Sequence, residues 1–352
     1  MEKAIREKIL GGGRLTREEA VSLFKNGDLL TLGSLANAKR WEIHPEPVVT
    51  YIMDRNINYT NICISGCKFC AFHRKQGSSE AFVLGWNKLA QKIEETLELG
   101  GVQILLQGGL HPTLKIDFYE EMLSRIKSHY PIHIHGFSPP EIVHIAKISQ
   151  LSVRETLNRL IHSGLNSIPG GGAEILVDRV RKAISPNKCS SLEWLEVMEE
   201  AHRLGLKTTA TMMFGHIETV EDRVDHLFKI RDLQERTGGF TAFIPWPFQP
   251  KNTRLDSIKP STGVDYLRTL ALSRLALDNV LNIQASWVTQ GPKVAQVALH
   301  FGANDLGSTM IEENVVSATG VYFRLSREEM IHLIQDAGFR AQRRNMLYEW
   351  LD

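Results

Sequence analysis

The stretch VQILL, from Val102 to Leu106, is a short and almost entirely apolar run that follows a helical pattern over residues 87–99. Runs of this kind are typical of strands that are buried on both faces, as in parallel sheets. A second helical pattern covers residues 117–129, and another strand is predicted at residues 132–135. A helix between two buried strands predicts a parallel βαβ unit.

The same alternation continues along most of the chain. Further strands are predicted at residues 48–53, 165–168, 207–214, 240–244 and 282–287. Further helices are predicted at residues 152–162, 192–204, 219–237, 264–281, 292–300 and 326–337. Seven or eight strands in this order predict an α/β fold, a (β/α)8 barrel of the TIM type. A doubly wound open sheet is the alternative, although no G-x-G-x-x-G motif supports a dinucleotide-binding version.

The sequence also predicts how the chain is divided. Residues 1–47 have helical patterns and are predicted to form an N-terminal extension packed on the barrel. Residues 48–352 are predicted to form the barrel, with the helix at 326–337 near its C-terminal end. No linker rich in Pro, Gly or Ser separates the predicted strands.

Composition limits the classes of partner. The chain has 352 residues, and 41 Lys and Arg against 40 Asp and Glu give a net charge of +1, which provides no electrostatic case for nucleic acid or an anionic membrane. No apolar run approaches the length of about 20 residues that a bilayer requires. The N-terminal segment is charged, unlike a signal peptide, and four cysteines do not form a disulfide framework. We therefore expect a cytoplasmic protein in a reducing compartment.

Three of the four cysteines lie close together, at Cys63, Cys67 and Cys70, with the spacing C-x3-C-x2-C. Thiolates bind iron–sulfur clusters and zinc alike. The fourth cysteine, Cys189, is far away in sequence, so three ligands predict a cluster with one open coordination site. A closed Cys3His zinc site that includes His73 is the structural alternative.

This motif, with Phe69 before its last cysteine, resembles the signature of the radical S-adenosylmethionine (SAM) enzymes. The resemblance implies a 4Fe-4S cluster whose free iron binds SAM through its methionine amino and carboxylate groups. It also implies that an external one-electron reductant, of the flavodoxin or ferredoxin type, starts the cleavage of SAM to a 5′-deoxyadenosyl radical. Phe69 would pack near the adenine, and the barrel would shield the radical from water.

Other family elements correspond to this chain with departures. Gln107-Gly108-Gly109 resembles the family's Gly-Gly-Glu without its acid, so Gln107 or a carbonyl is expected to hold the SAM amino group; a plain βα turn is the alternative. Three glycines precede Glu174, which we expect to bind the SAM ribose unless it is a first-turn helix acid. Residues 211–218 resemble the adenine-binding strand, and Glu218 there could equally be a helix acid. The cofactor contacts expected from the resemblance are Phe69, Gln107, Gly108, Ser138, Glu174, Met213 and Glu218.

Within this superfamily, residues 56–63, 106–112 and 135–141 resemble the menaquinone and deazaflavin group. Residues 243–253 and 285–292 most resemble the member that closes a ring in the futalosine route to menaquinone. That resemblance implies hydrogen abstraction at a ribose C4′ of a nucleoside-derived substrate, followed by C–C bond formation to a benzoate ring. Addition of the adenosyl radical to an enol ether and the deazaflavin reaction are the alternatives, and a zinc-stapled binding barrel is the non-enzymatic one.

The same segments predict a substrate wall. Trp246 and Trp287 offer flat apolar faces for an aryl ring, although aromatic side chains are also ordinary packing at a barrel rim. The predicted substrate contacts are His73, Trp246, Gln249, Asn252, Ser286 and Trp287. His111 and His135 are predicted to be catalytic, with a hydrogen-bonded core histidine as the alternative for each.

Overall fold

The computed structural model describes residues 2–351 and contains both α-helices and β-strands. The strands are β1 (Val48–Ile52), β2 (Asp54–Asn58), β3 (Gln103–Gln107), β4 (His133–Gly136), β5 (Ser167–Ile168), β6 (Lys207–Phe214), β7 (Phe240–Pro247), β8 (Asn282–Ile283), β9 (Asp305–Ser308) and β10 (Arg340–Arg343).

Helices lie before, between and after these strands. They are α1 (Glu2–Leu10), α2 (Arg17–Asn26), α3 (Leu29–Ile43), α4 (Trp86–Glu98), α5 (Ile116–His129), α6 (Pro139–Ser149), α7 (Val153–Ser163), α8 (Asp178–Ile184), α9 (Ser191–Arg203), α10 (Val220–Thr237), α11 (Gly263–Ala276), α12 (Trp287–Gln290), α13 (Pro292–Ala298) and α14 (Arg327–Asp336), with a short 3₁₀ turn at Ser317–Thr319. No helix within residues 2–351 combines the length and the apolar character needed to cross a membrane.

Seven strands form one parallel sheet in the order β2-β3-β4-β5-β6-β7-β8. Asp54 pairs with Gln103 and His135 pairs with Ser167, so equivalent positions of neighbouring strands face the same side. Because successive side chains of a strand point to opposite faces, one set faces the lumen and the other packs under the surrounding helices. The carboxyl ends of all seven strands therefore meet at one end of the lumen.

The ninth strand closes the ring. β9 pairs in parallel with β1, which continues past Met53 into β2. On its other side β9 meets β8, where Ala285 N donates to Asp305 O at 2.9 Å and Gln284 forms an isolated bridge with Asp305. Counting β1 and β2 as one bent strand, eight strand positions surround the lumen.

The C-terminal segment covers the opposite end of the barrel from the strand carboxyl ends. β10 pairs in parallel with β1, from Val48 with Arg340 onward. Beyond it, Arg344 is buried and donates to Asp305 from Nε at 2.6 Å and from Nη2 at 2.9 Å. Arg344 also lies 3.9 Å from the Tyr348 ring centroid. This ion pair fixes the end of the chain against β9.

The three N-terminal helices pack on the barrel through their apolar faces. Leu32, Leu35 and Ala36 of α3 are buried against the core. Arg40 is fully buried, lies over the Trp41 ring at 4.2 Å, and donates to Val48 O at 2.7 Å. A guanidinium that satisfies backbone carbonyls in this way joins α3 to the start of β1.

The α/β barrel predicted from the sequence is confirmed, while several boundaries were wrong. The first predicted strand is followed by a second segment, β2, because β1 pairs with β9 and β10 whereas β2 pairs with β3. The strand predicted at 282–287 ends at Ile283, because Ser286 N donates to the Tyr266 hydroxyl at 2.8 Å instead of to a neighbouring strand. The helix predicted at 264–281 ends at Ala276. β9 and β10 were missed.

Candidate active site

The three clustered cysteines lie on a loop that follows β2 at the carboxyl end of the barrel. Backbone hydrogen bonds within this loop and to other segments of the chain hold its shape. Cys63 N donates to Arg74 O at 3.0 Å, and Lys68 N donates to Ile184 O at 2.7 Å. Arg254 N donates to Lys68 O at 2.8 Å, while Gly66 turns with a φ of +62°. The loop therefore has a defined shape without a disulfide, and all three cysteines are free.

Two of the sulfur atoms already make hydrogen bonds within the protein. Leu110 N lies 3.3 Å from Cys63 Sγ, and the Ser65 hydroxyl lies 2.9 Å from Cys67 Sγ. Burial raises the pKa of the Cys63 thiol and raises that of Cys67 to about 11. Thiolates are the metal-binding form, so binding of a cluster must displace their protons. Hydrogen bonds to cluster sulfurs are one means of setting a cluster's potential.

His73 does not complete a closed metal site with these cysteines. Its Nδ1 is 2.9 Å from Cys70 O. Within residues 2–351 no three His, Cys, Asp or Glu side chains lie close enough to hold one metal ion. A four-iron cluster binds each thiolate to a different iron and so does not require three sulfurs around one point.

A buried charge cluster lies beside the cysteine loop. Lys188 Nζ is 2.7 Å from Glu174 Oε1 and 5.1 Å from the Phe69 ring centroid. Burial alone would lower the pKa of Lys188, but the charges of Cys67 and Glu174 raise it above its usual value. Glu174 Oε2 is buried and makes no hydrogen bond within the described residues. An acceptor in this state fits a hydroxyl donor such as a ribose.

The glycines before Glu174 are required for close packing. A Cβ at Gly170 would lie 2.6 Å from Ala210 Cα, and one at Gly171 would lie 2.6 Å from Gln107 Nε2. Gly172 has a φ of +75°, and Glu174 itself has a φ of +41°. This backbone turns the Glu174 carboxylate toward Lys188, and Gly171 lets the Gln107 side chain approach this loop from the end of β3. The residues present therefore fit the nucleoside part of a bound SAM.

The turn after β3 has an internal role that the sequence did not indicate. A Cβ at Gly108 would lie 2.5 Å from the Tyr59 ring, so this glycine allows the strand end to pack on Tyr59. Gly108 N donates to Glu141 Oε1 at 2.9 Å, and Ser138 N and Oγ donate to Glu141 Oε2 at 2.7 and 2.6 Å. The Glu141 carboxylate, missed as a site residue, thus organises both Gly108 and Ser138.

A cavity of about 300 Å³ occupies the lumen. Five predicted site residues line it: Gln107, His135, Trp246, Ser286 and Trp287. Trp287 is fixed by a hydrogen bond from its Nε1 to Ser308 O at 3.0 Å. Gln107 at the end of β3 and Gly171 after β5 line one side of the cavity. The loop after β3 contacts the cysteine loop through Leu110, and the loop after β5 contains Glu174.

Several other predicted residues lie away from this cavity. Gln249 Nε2 donates to Thr289 O at 2.9 Å, and Asn252 Nδ2 donates to Ala318 O at 3.1 Å, so both amides hold backbone segments. His111 Nδ1 accepts from Thr113 N at 3.2 Å. Met213 is buried. The Glu218 carboxylate accepts from Gly215 N and Arg223 Nε, at 2.6 and 2.9 Å.

The lumen also contains polar residues that sequence reasoning missed. Asp54 and Asn56 on β2 and Gln103 on β3 line the cavity, and Gln103 Nε2 donates to Asp54 Oδ2 at 2.6 Å. Asp54 and Asn56 are two residues apart along β2, which places both side chains on one face. This spacing was the signal available in the sequence. Lys188 had no such signal, because it reaches Glu174 from a separate loop.

Comparisons with known proteins agree with this arrangement. The radical SAM superfamily profile matches residues 57–230, and the profile of the CofH/MqnC C-terminal region matches residues 237–352. The chain is 45% identical to the cyclic dehypoxanthine futalosine synthase of Halalkalibacterium halodurans, covering 98% of this chain and 94% of that protein. It is 46% identical to the Streptomyces coelicolor protein of the same name, covering 99% of this chain and 88% of the relative.

A second activity occurs among the relatives. The 5-amino-6-(D-ribitylamino)uracil–L-tyrosine 4-hydroxyphenyl transferase of Archaeoglobus fulgidus is 45% identical, covering 86% of this chain and 89% of that protein. Among solved structures, methylornithine synthase (PylB) has a TM-score of 0.73 at 18% identity, covering 96% of this chain and 97% of that chain. The FeFe-hydrogenase maturase HydG from Carboxydothermus hydrogenoformans has a TM-score of 0.74 at 17% identity, covering 98% and 80%. These two structures share the fold.

Proposed function

The chain belongs to the radical SAM superfamily, and from this premise we propose that it forms cyclic dehypoxanthine futalosine from dehypoxanthine futalosine, on the futalosine route to menaquinone. The observation that carries the proposal is 45% identity to a cyclic dehypoxanthine futalosine synthase over 98% of the chain. The cavity supports it, since Trp246 and Trp287 offer apolar ring faces opposite the polar side chains of β2 and β3.

The cofactor residues proposed are those around the cysteine loop. Cys63, Cys67 and Cys70 would ligate the 4Fe-4S cluster, and SAM bound to it would supply the 5′-deoxyadenosyl radical that removes a hydrogen atom from the substrate. Glu174 is proposed to accept hydrogen bonds from the ribose, and Lys188 to pair with the methionine carboxylate. Both roles agree with Glu174 Oε2, which makes no hydrogen bond within the described residues, and with the position of the Lys188 ammonium, only 14% exposed, next to the loop.

The substrate is proposed to lie in the lumen with its aryl ring against Trp246 and Trp287 and with Ser286 as a polar contact. The walls have few charges, and pockets of this kind fix orientation through a small number of polar groups. His135 faces this space and is the proposed proton acceptor. Gln249 and Asn252 would act by holding the wall in place, in keeping with their bonds to Thr289 and Ala318.

The second candidate function is transfer of a 4-hydroxyphenyl group from tyrosine to 5-amino-6-(D-ribitylamino)uracil. It is favoured by the 45% identity to the Archaeoglobus fulgidus transferase. The same aromatic wall would accept a phenol in place of a benzoate. The two candidates share the cluster and SAM, so only the substrate distinguishes them.

The deciding experiment supplies both substrate sets to the anaerobically reconstituted, reduced protein with SAM. We expect cyclic dehypoxanthine futalosine, with 5′-deoxyadenosine formed alongside it, and no product from 5-amino-6-(D-ribitylamino)uracil and tyrosine. Cys67→Ala should abolish both products, whereas Cys189→Ala, which removes a buried cysteine outside the loop, should leave them. A hydroxyphenyl product without cyclic product would replace the first candidate by the second.

The reaction also requires an electron source. We propose a flavodoxin- or ferredoxin-type reductant and a cytoplasmic setting, in line with a cluster that must be kept reduced. Residues 48–352 are proposed to form the catalytic barrel, with residues 1–47 as a helical extension packed on it.

A further inference from the structure

One hydroxyl group lies between two histidines inside the lumen. The Ser167 hydroxyl is 2.7 Å from His135 Nδ1 and 2.7 Å from His133 Nε2. The β4–β5 ladder produces this arrangement, because His135 pairs with Ser167 and His133 lies two residues earlier on the same face. A hydroxyl has one proton and two lone pairs, so it can donate to one ring while it accepts from the other.

The two outer ring nitrogens, His135 Nε2 and His133 Nδ1, have different surroundings. His135 lines the cavity, and its Nε2 makes no hydrogen bond to any residue of the described chain. His133 is half-buried at the first position of β4, and its Nδ1 is likewise without a protein partner among residues 2–351. The three side chains therefore connect the cavity with the amino-terminal end of the barrel, away from the cysteine loop.

Both rings are neutral at ordinary pH. Burial lowers the pKa of His135 well below its usual value; His133, once it is protonated, and Arg344 lower it further. Burial also lowers the pKa of His133 to about 4, with Lys127 adding to the effect. A neutral imidazole keeps a free lone pair on one nitrogen. Each ring can thus accept a proton and, given its low pKa, passes the proton on.

We propose that His135, Ser167 and His133 form a proton relay that carries the proton lost from the substrate's aryl ring out of the cavity. This inference rests on the function proposed above. After the C–C bond forms, the ring carbon still has its hydrogen and the ring has an unpaired electron. The C–H bond then breaks, its proton goes to His135 Nε2, and the bonding pair stays on the ring. One electron leaves the ring for a one-electron acceptor of the iron–sulfur class, which restores aromaticity.

The relay completes the proton balance. His135 gives the proton on Nδ1 to the Ser167 oxygen, the hydroxyl proton passes to His133 Nε2, and the proton on His133 Nδ1 goes to water. No net charge stays in the lumen, so the step avoids the high cost of a buried unpaired imidazolium. Proton transfer by positioned groups contributes about 10²- to 10⁴-fold in enzymes.

The test compares Ser167→Ala with Ser167→Thr in the reduced holoenzyme, using substrate deuterated on the aryl ring. In Ser167→Ala we expect cyclic product to form about 100-fold more slowly, 5′-deoxyadenosine to exceed cyclic product, and a primary deuterium isotope effect to appear. Ser167→Thr keeps a hydroxyl and should restore the wild-type ratio. His202→Gln is the matched control, because His202 is another histidine that contacts hydroxyl groups, those of Thr208 and Thr237, but it lies outside the cavity.

A second variant and a second measurement keep the inference testable. His133→Asn, at the barrel end, should give the same isotope effect even if Ser167→Ala fails to fold. The ¹⁵N NMR shifts of both histidine rings should move together when Ser167 is replaced, in protein whose cluster is diamagnetic. Unchanged shifts and a wild-type product ratio in both variants would overturn the relay. Absence of cyclic product from wild type, with the NMR coupling present, would instead count against the proposed function.

Discussion

The Lys188 ammonium group interacts with three chemically different neighbours: the Glu174 carboxylate, the Phe69 ring and the Cys67 sulfur. The Glu174 and Lys188 side chains are only 4% and 14% exposed, so their attraction is poorly screened by solvent. Arg181 adds a second cation 3.9 Å from Glu174. Two cations for one carboxylate leave a positive excess beside the cysteine loop, which suits an anionic group on a ligand.

Single buried histidines also determine how the protein responds to acid. His226 is fully buried, and its Nδ1 accepts from Leu176 N at 3.0 Å, which a protonated ring could not do. Burial, reinforced by Arg181 and Lys229, lowers the pKa of His226 to about 3. Below pH 6.5 the unfolded state therefore binds a proton on His226, whereas the folded state does not. The free energy of unfolding decreases as the pH falls toward 3.

We predict that His226 alone accounts for about 2 kcal/mol of stability lost between pH 6.5 and pH 4.5. The His226→Gln variant keeps an acceptor for Leu176 N and should lose correspondingly less over that interval. Urea unfolding of the cluster-free proteins at both pH values measures the difference. Equal losses in variant and wild type would show that His226 is protonated in the folded state.

Among the elements, β9 links parts of the barrel that are far apart in the chain. It contacts β8 on one side and β1 on the other, and its Asp305 carboxylate accepts from Arg344 beyond β10. The two side chains of this ion pair are 0% and 4% exposed. A buried pair of this kind contributes little over apolar packing, but loss of one partner leaves an uncompensated charge.

We predict that Arg344→Met destabilises the protein by about 3–5 kcal/mol, because Asp305 would stay buried without its partner. The double variant Arg344→Met/Asp305→Asn should recover part of that loss, since it removes the second charge as well. Chemical denaturation of the four proteins of this cycle gives the coupling energy. Additive effects of the two substitutions would contradict a direct interaction between the side chains.

On the scale of the whole molecule, the N-terminal helices share the barrel's core. Leu23 and Phe24 of α2 and Leu32 of α3 belong to the same buried cluster as the barrel side chains. Arg268 of α11 donates to Phe24 O at 3.1 Å, and Arg40 joins α3 to β1. Within residues 2–351, these helices have no separate apolar core that would keep them folded if the barrel opened.

We therefore predict a single unfolding transition for residues 1–352. Far-UV circular dichroism, tryptophan fluorescence and limited proteolysis of the segment before residue 47 should report the same midpoint. Arg40→Met should lower that midpoint for all three probes together. Separate midpoints for the N-terminal segment and for the barrel would indicate an independently stable extension.

Periodicity and strand order were sufficient for the barrel because they depend on local burial, as in VQILL at 102–106. β9 and β10 were missed because Asp305–Ser308 and Arg340–Arg343 are polar. These strands are buried or paired through residues that lie far away in the sequence, and no local sequence pattern indicates such partners. The end of β8 at Ile283 likewise depends on the Tyr266 hydroxyl.

The candidate site likewise contains residues that the sequence predicted and residues that it did not. The cysteine motif could be recognised from its spacing. The lumen-facing positions of His135, Trp246 and Trp287 could be predicted because these residues lie on predicted strands or at their ends. Lys188 and Glu141 were not predicted, because each acts through contacts between separate loops. Gln249 and Asn252 looked like substrate contacts, although their amides bond to backbone.

The pairing of β1 with β9 and β10 also determines the order of events during synthesis. β1 is synthesised long before its partner β10, since Val48 pairs with Arg340. Contacts between residues that are so far apart in sequence slow folding. In a large chain, apolar strands stay exposed until their partners are available. The cysteine loop likewise depends on Ile184 and Arg254 for its shape. Loading of a cluster should therefore follow the synthesis of the segment that contains Arg254.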